Sequence, residues 1–384
     1  MVLMTLRGWC RMQRIIKIKD AFVFLKKSKI KAGDGLEVGK YPFYTSSSVL
    51  RKYLDSYEIE DESLIFGTGG SASVHHSHGK FSSSTDCFVV QSNNKFEINL
   101  RYVYLFLSGN IHILENGFKG AGLKHISKKY LEDVEIPLPS LETQKEIVGV
   151  LDKAQELVDA RKEQIRLMDE LIQSVFYEMF SKNENYLTKS IENVCQAIYD
   201  CPHSTPKYSD VKTSYRCLRT SNLGNGYIDW YNLAYVNEDV YHERNKRYTP
   251  NIGDVVYSRE GAILGIAALV NEEKQMCLGQ RLMIFKLDNK IVNSTFFWMM
   301  LNSHFVRRQV ELNIGGAAAP RINIKDIKKF EIFLPPIELQ NEFAQRIHKI
   351  EEMKKIMKIS DNEIRKNNYS LVQKIFKGDF FGGE

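Results

Sequence analysis

The sequence predicts two mixed α+β globular parts, each running into a long helix, the whole written as an internal repeat. Three observations carry that expectation. The stretch VEIPLPSLETQKEI, starting at Val134, returns as FEIFLPPIELQNEF, starting at Phe330, which is 196 residues further on. Each copy opens a long segment with apolar residues at alternating steps of four and three, the signature of a helix seam. Upstream of each lies a series of short β-rich runs separated by Gly, Ser and Asn turns, the texture of short irregular strands.

Bulk properties agree. At 384 residues the chain exceeds a typical single core, so two domains plus connecting elements are expected. A hydrophobic content of 43% and an aromatic content of 11% fit a packed protein and exclude a disordered one. A net charge of +6 permits a polyanionic partner without demanding one. Six cysteines without a CxxC pair point to free thiols in a reducing, cytoplasmic compartment. The arginines of MVLMTLRGWCRMQR interrupt what a signal peptide would need as a continuous apolar core. AILGIAALV, starting at Ala262, is too short to cross a bilayer, so no membrane partner is expected.

The elements follow in order. Residues 1–138 form the first globular part, with 1–15 read as an extension; 139–180 form the first spacer helix. Residues 181–336 form the second globular part and 337–378 the second spacer helix. Pro139 and the Pro335–Pro336 pair end the preceding strands, because proline cannot donate to a ladder. The first seam runs through Ile147, Leu151, Val158, Arg161, Ile165 and Ile172. The second runs through Phe343, Ile347, Met357, Asp361, Ile364 and Leu371, with Lys354 and Asn368 as further polar members. At 1.5 Å per residue each helix is about 60 Å long, a spacer as much as a core. The same offset lays Ile126 on Ile322, Gln144 on Gln340, Phe180 on Phe376 and GAGLKHI (Gly120 on) over GAAAPRI (Gly316 on). SLIFGTGGSAS (Ser63 on) is similar to DVVYSREGAIL (Asp254 on) with a slightly different offset. Helices are expected from Leu100 and, as one segment, across NSTFFWMMLNSHFVRRQV from Asn293. The helix ends match well and the front parts poorly, so the front parts diverged in task. The first helix is acidic and the second only weakly basic, which leaves the excess positive charge on the globular parts.

Catalytic readings fail on spacing. FGTGGS at 66–71 has the glycines of an S-adenosylmethionine loop, but no helix formers follow and no downstream Asn/Asp-Pro-Pro-aromatic motif exists; a tight turn is the plainer reading. GDGLEVGKY at 33–41 lacks phosphate-loop spacing and the Ser/Thr that holds magnesium, and reads as a hairpin turn. His75, His76 and His78 lack a second ligand cluster and read as a polar loop. Asp254 with Glu272 and Lys274 has the composition of a nuclease site, yet such a set arises by chance in a lysine-rich chain. No catalytic residue, cofactor or metal is therefore expected. What remains is recognition chemistry: Arg forks to guanine, Asn and Gln to adenine, and Ser/Thr reach phosphate. The candidates in the first part are Thr45, Ser46, Thr68, Ser71, His75, His76 and Lys80. Those in the second are Arg216, Arg219, Thr220, Asn222, Ser258, Arg259, Gln280 and Arg281.

At this point the chain resembles a family, the specificity subunit of type I restriction–modification systems. The resemblance rests on the junctions IPLPSLETQKEI and IFLPPIELQNEF, on YRCLRTSNLGNGYIDW with GDVVYSREGAILG, and on GKYPFYTSS with SLIFGTGGS. The family junction often reads Glu-Gln where this chain has Thr143-Gln144 and Leu339-Gln340. The resemblance implies two target-recognition domains, two long antiparallel coiled-coil helices and a pseudo-two-fold repeat. It implies double-stranded DNA as partner, each domain reading half of a split asymmetric target, with the helices fixing the gap and docking methyltransferase subunits, two of them. Restriction and translocase activity would belong to separate subunits. Within the seams, a pair between Arg161 and Asp361 is expected to fix helix register. The competing readings are a methyltransferase or nuclease with its own site, and a coiled-coil adaptor that binds no DNA.

Overall fold

The computed structural model describes residues 14–120, 122–181, 186–224, 226–316 and 320–377. Residues 1–13 of the expected extension lie outside the described residues, as does position 378 at the end of the second helix. Arg14 and Ile15, assigned to that extension, instead open strand β1 (Arg14–Lys17), whose partner β11 (Glu135–Leu138) supplies the second strand of an antiparallel ribbon. The chain divides into two compact units, Met1–Glu163 with Lys358–Glu384, and Gln164–Met357. The division passes through both long helices, not at their ends.

In the first unit a four-stranded sheet has the order β2-β8-β5-β6: β2 (Phe22–Phe24), β8 (Cys87–Ser92), β5 (Ser63–Gly67) and β6 (Val74–Ser77). Every residue of β5 is buried, which explains its unbroken apolar run SLIFG. A second sheet has the order β4-β3-β7, from Tyr41–Tyr44 (β3), Lys52–Leu54 (β4) and Ser82–Ser83 (β7). Helix α1 (Leu100–Gly109) starts where the Asn99 side chain accepts from the Tyr102 N–H, and it buries Tyr102, Val103, Phe106 and Leu107. A two-residue ribbon, β9 (Phe118–Lys119) with β10 (His125–Ile126), precedes helix α2 (Lys128–Asp133). Helix α3 (Leu141–Phe180) then begins two residues after Pro139.

The second unit repeats this plan with more strands. Strand β12 (Leu187–Ser190) pairs with β23 (Glu331–Leu334) as β1 pairs with β11. The central sheet has the order β13-β22-β19-β20, from Cys195–Asp200, Leu282–Leu287, Val255–Ser258 and Ala267–Leu269. Beside it lies β14-β18-β15-β21, from Tyr208–Ser209, Ala234–Val236, Arg216–Leu218 and Met276–Leu278, and a ribbon of β16 (Leu223–Gly224) with β17 (Tyr227–Ile228). The single helix expected from Asn293 is two, α4 (Ser294–Leu301) and α5 (His304–Asn313). Asn302 breaks it: its side chain accepts from the Ala267 N–H at 3.1 Å and donates to the Ala267 carbonyl at 2.9 Å, so the chain turns to serve a strand edge. Helices α6 (Ile324–Lys329) and α7 (Ile337–Lys377) follow.

The repeated junction does the same physical work twice. Buried Gln144 accepts from the Asn99 N–H at 2.8 Å and donates to the Pro139 and Glu97 carbonyls at 2.9 and 3.1 Å. Buried Gln340 accepts from the Asn293 N–H at 2.9 Å and donates to the Pro335 and Ile291 carbonyls at 2.8 and 3.4 Å. Each glutamine therefore ties the first turn of a long helix to the cap of its unit's main helix and satisfies a carbonyl that proline punctuation would orphan.

The long helices bury their seams unevenly. Ile147, Leu151, Val158, Ile172, Phe343 and Ile347 are buried; Arg161, Ile165, Met357, Asp361, Ile364 and Leu371 are half-buried. A two-helix seam encloses side chains fully only where a third element covers it. In the first unit Phe376 lies 5.4 Å from Phe106 and 6.0 Å from Tyr102, ring centre to ring centre. In the second, the equivalent Phe180 lies 5.0 Å from Phe296 and 5.4 Å from Phe343. Helix segments run antiparallel within each unit: Asn368 donates to Gln155, and Lys354 meets Asp169 while Phe343 meets Phe176. The expected Arg161–Asp361 pair does not form. Asp361 takes the Arg365 Nε at 2.8 Å, one turn along its own helix, where no inter-helix geometry has to be met. The cross-seam ion pair is made instead by buried Lys354 with Asp169, 4.1 Å below the centre of the Tyr227 ring.

Candidate nucleic-acid interface

The polar candidates sit where central strands end in turns, and they divide into scaffold and presented groups. In the first unit the Ser46 hydroxyl donates to the Asp86 carbonyl at 2.7 Å and accepts from the Thr68 N–H at 3.2 Å. Thr68, itself buried, donates to the same carbonyl at 2.9 Å. Three turns are thus tied at one point. His75 and His76 lie on strand β6, not in a loop as expected, because VHHS alternates into the sheet edge. His75 Nε2 bonds the Ser47 carbonyl at 2.7 Å, and burial pushes its pKa down. His76 Nε2 bonds Glu62 at 2.7 Å. Thr45 is half-buried, while Ser71 and Lys80 are exposed; Lys80 lies 4.6 Å from the centre of the Tyr57 ring and 3.6 Å from Glu60.

In the second unit Arg216 covers the Tyr235 ring at 3.9 Å and donates to the Thr213 carbonyl. Arg219 donates to the Asn232 carbonyl at 3.3 Å. Thr220 is half-buried beside Asn222, which is buried, accepts from the Arg219 N–H at 3.0 Å and donates to Asn232 at 2.9 Å. Ser258, fully buried, accepts from the Ile266 N–H at 3.1 Å. Arg259 is clamped by Asp200 in a two-pronged pair at 3.0 and 3.3 Å. Gln280 donates to the His203 carbonyl at 2.7 Å. Arg281 is exposed and holds a left-handed backbone, φ 69°, with Glu260 3.7 Å from its Nε. Such a backbone is uncommon for a non-glycine residue and is held here by the surrounding turn.

Four candidates, Thr68, Asn222, Ser258 and Arg259, are buried and already bonded, and in this structure they hold turns. Asp254 is likewise structural: burial raises its pKa while it accepts from the Asn251 N–H at 2.7 Å and the Tyr248 hydroxyl at 3.1 Å. Glu272 pairs with Lys274 at 3.5 Å. Among the described residues no group of three or more His, Cys, Asp or Glu side chains is arranged to hold a metal, and no helix is long and apolar enough to cross a membrane. Composition missed His203, Glu260, Lys124 and Arg321, each beside one of these turns. For the last two the signal was the GAGLKHI/GAAAPRI repeat.

Two α+β bodies, each carrying polar turns and each continuous with a long helix, define a protein with two recognition modules. A model of the type I restriction modification DNA specificity domain matches residues 13–167 and again residues 209–366, and the chain belongs to this family. Its function is DNA target recognition for a type I restriction–modification system. It is 23% identical to the type I restriction enzyme MjaVIII specificity subunit of Methanocaldococcus jannaschii, over 95% of this chain and 92% of that one. It is 21% identical to the EcoBI specificity subunit of Escherichia coli, over 97% of this chain and 86% of that one. In fold it is similar to the crystal structure of a type I S subunit from M. genitalium, with a TM-score of 0.54 at 14% identity over 94% of this chain and 96% of that one.

Proposed function

We propose that each unit reads one half of a bipartite, asymmetric double-stranded DNA target, that the long helices set the spacing between the halves, and that they dock two methyltransferase subunits which modify adenine. The observation that carries this reading is the contrast within the repeat. The glutamine clamps are kept bond for bond, whereas the presented groups differ: Ser71 and Lys80 in the first unit, Arg219, Gln280 and Arg281 in the second. A common scaffold with two different faces suits a target whose halves differ. The chain carries no chemistry of its own in this reading; restriction and translocation belong to separate subunits, and the assembly works in the cytoplasm. Arginine at Arg219 and Arg281 has the fork geometry that reads guanine. Arg219→Ala and Arg281→Ala, assembled with the methyltransferase, should alter base preference in one half of the target only. Equal loss of preference in both halves would sink the assignment of halves to units.

A further inference from the structure

The repeat GAGLKHI/GAAAPRI has no part in the reading above, yet among the described residues its backbone bonds recur in both units beside turns that diverged. In the first unit Gly69 bridges His125, the Gly70 N–H donates to the Lys124 carbonyl at 3.3 Å, and the Ile126 N–H donates to the Thr68 carbonyl at 3.1 Å. In the second, Glu260 bridges Arg321, the Gly261 N–H donates to the Pro320 carbonyl at 2.9 Å, and the Ile322 N–H donates to the Arg259 carbonyl at 2.9 Å. Gly70 and Gly261 share a left-handed backbone, φ 81° and 96°. This conformation aims each turn at the incoming segment and favours glycine. The incoming segments carry exposed cationic or polar side chains, Lys124 and His125 in one unit and Arg321 in the other, where Pro320 stands in place of Lys124. The second bridge also brings Glu260, whose carboxylate lies 3.8 Å from Arg259 and 3.7 Å from Arg281.

We propose that these two bridges are where each unit grips the sugar–phosphate backbone, with Lys124 and His125 on one half-site and Arg321 on the other. The inference rests on the DNA-reading function proposed above. Two halves of an asymmetric target share no base sequence, but they share a backbone. A surface kept in both copies, beside turns that diverged, fits the shared partner. Charge supports it: Lys119 and Lys124 lie in a stretch without an acidic residue from Asn116 to Lys129, and Arg321 is followed by Lys325. An apolar protein-docking anchor is not what is shared, since exposed Leu123 has Ala319 at the equivalent position. Phosphate contacts fix register on the duplex and make affinity salt-dependent.

The test uses the full chain assembled with its methyltransferase subunits and two duplexes of equal length, one carrying the methylated target and one with both halves scrambled. Arg321→Gln should weaken binding to both duplexes by the same factor and lower the slope of log affinity against log salt by about 1. Arg321→Lys should restore most of the affinity, since a phosphate accepts a point charge whereas a base fork does not. A changed ratio between the two duplexes, or between base-substituted second halves, would make Arg321 a base reader and overturn the proposal. Unchanged affinity with weakened assembly would make the bridge a subunit-docking surface and overturn it as well. Failure of the unmutated assembly to prefer the target duplex would instead count against the DNA-reading function itself.

Discussion

Replacing Gln340 tests whether the repeated junction is a mechanical joint. Gln340→Ala removes three hydrogen bonds from a site with no exposed side-chain surface. It leaves the Asn293 N–H and the Pro335 carbonyl buried without partners. At about 1–3 kcal/mol for each orphaned group, and counting the Ile291 bond as weak at 3.4 Å, the expected loss is about 3–4 kcal/mol. Gln340→Glu separates geometry from chemistry. The carboxylate keeps the Asn293 N–H but faces two carbonyl oxygens, so its folded-state pKa is raised, and it folds well only while protonated. Its stability should fall as pH rises through the carboxylate range into neutrality, whereas the native glutamine shows no such dependence. Denaturant unfolding followed by hydrogen exchange over residues 331–345, with residues 135–149 as internal reference, reads the effect in the right unit. A loss under about 1 kcal/mol for Gln340→Ala would refute the joint, as would pH-independent stability of Gln340→Glu.

Further outcomes follow from the same structure. Arg259→Ala should cost the second unit about 3 kcal/mol by stranding Asp200, whereas Arg281→Ala, exposed, should stay within about 0.5 kcal/mol and affect DNA only; thermal unfolding and binding on the same samples separate them. Gly149 is exposed inside the first long helix, and an added Cβ meets nothing within 4 Å, so Gly149→Ala should stabilise the chain by about 0.5–1 kcal/mol in denaturant unfolding. Burial lowers the His75 pKa, so its contribution to stability is complete above the unfolded value of 6.5 and is lost as pH falls towards the folded one. His75→Gln should flatten that part of the pH–stability profile below neutrality, and an unaltered profile would rule the residue out. Lys354→Met should leave stability within about 1 kcal/mol because a hydrophobic side chain replaces a partly compensated buried charge, while Lys354→Ala should cost about 2–3 kcal/mol through the cavity it leaves.

The architecture was legible because it rests on periodicity and punctuation, which the chain states twice. Both long helices, their proline starts and the strand SLIFG are read directly from spacing and β-branched or aromatic runs. The helix expected from Asn293 is over-extended because Asn302 is held by Ala267, distant in sequence; the local mark of the break is Asn302-Ser303, the C-cap of one helix and the N-cap of the next. The site was harder. Ser258, Asn222 and Arg259 have the right functional groups for DNA, but burial and partners such as Asp200 decide whether those groups are free, and only the fold brings the partners together. The same holds for register. Arg161 and Asp361 were polar at seam positions, yet the seam's cross-helix pair uses Lys354, whose partner Asp169 lies off the simple apolar pattern.

Methylome sequencing of cells carrying the cognate methyltransferase, with and without this chain, tests most directly whether one chain reads two different half-sites. Removing the chain should abolish adenine methylation at one motif made of two unlike specific halves separated by a fixed unspecified gap. An unchanged methylome, or loss of a continuous motif without a gap, would contradict it.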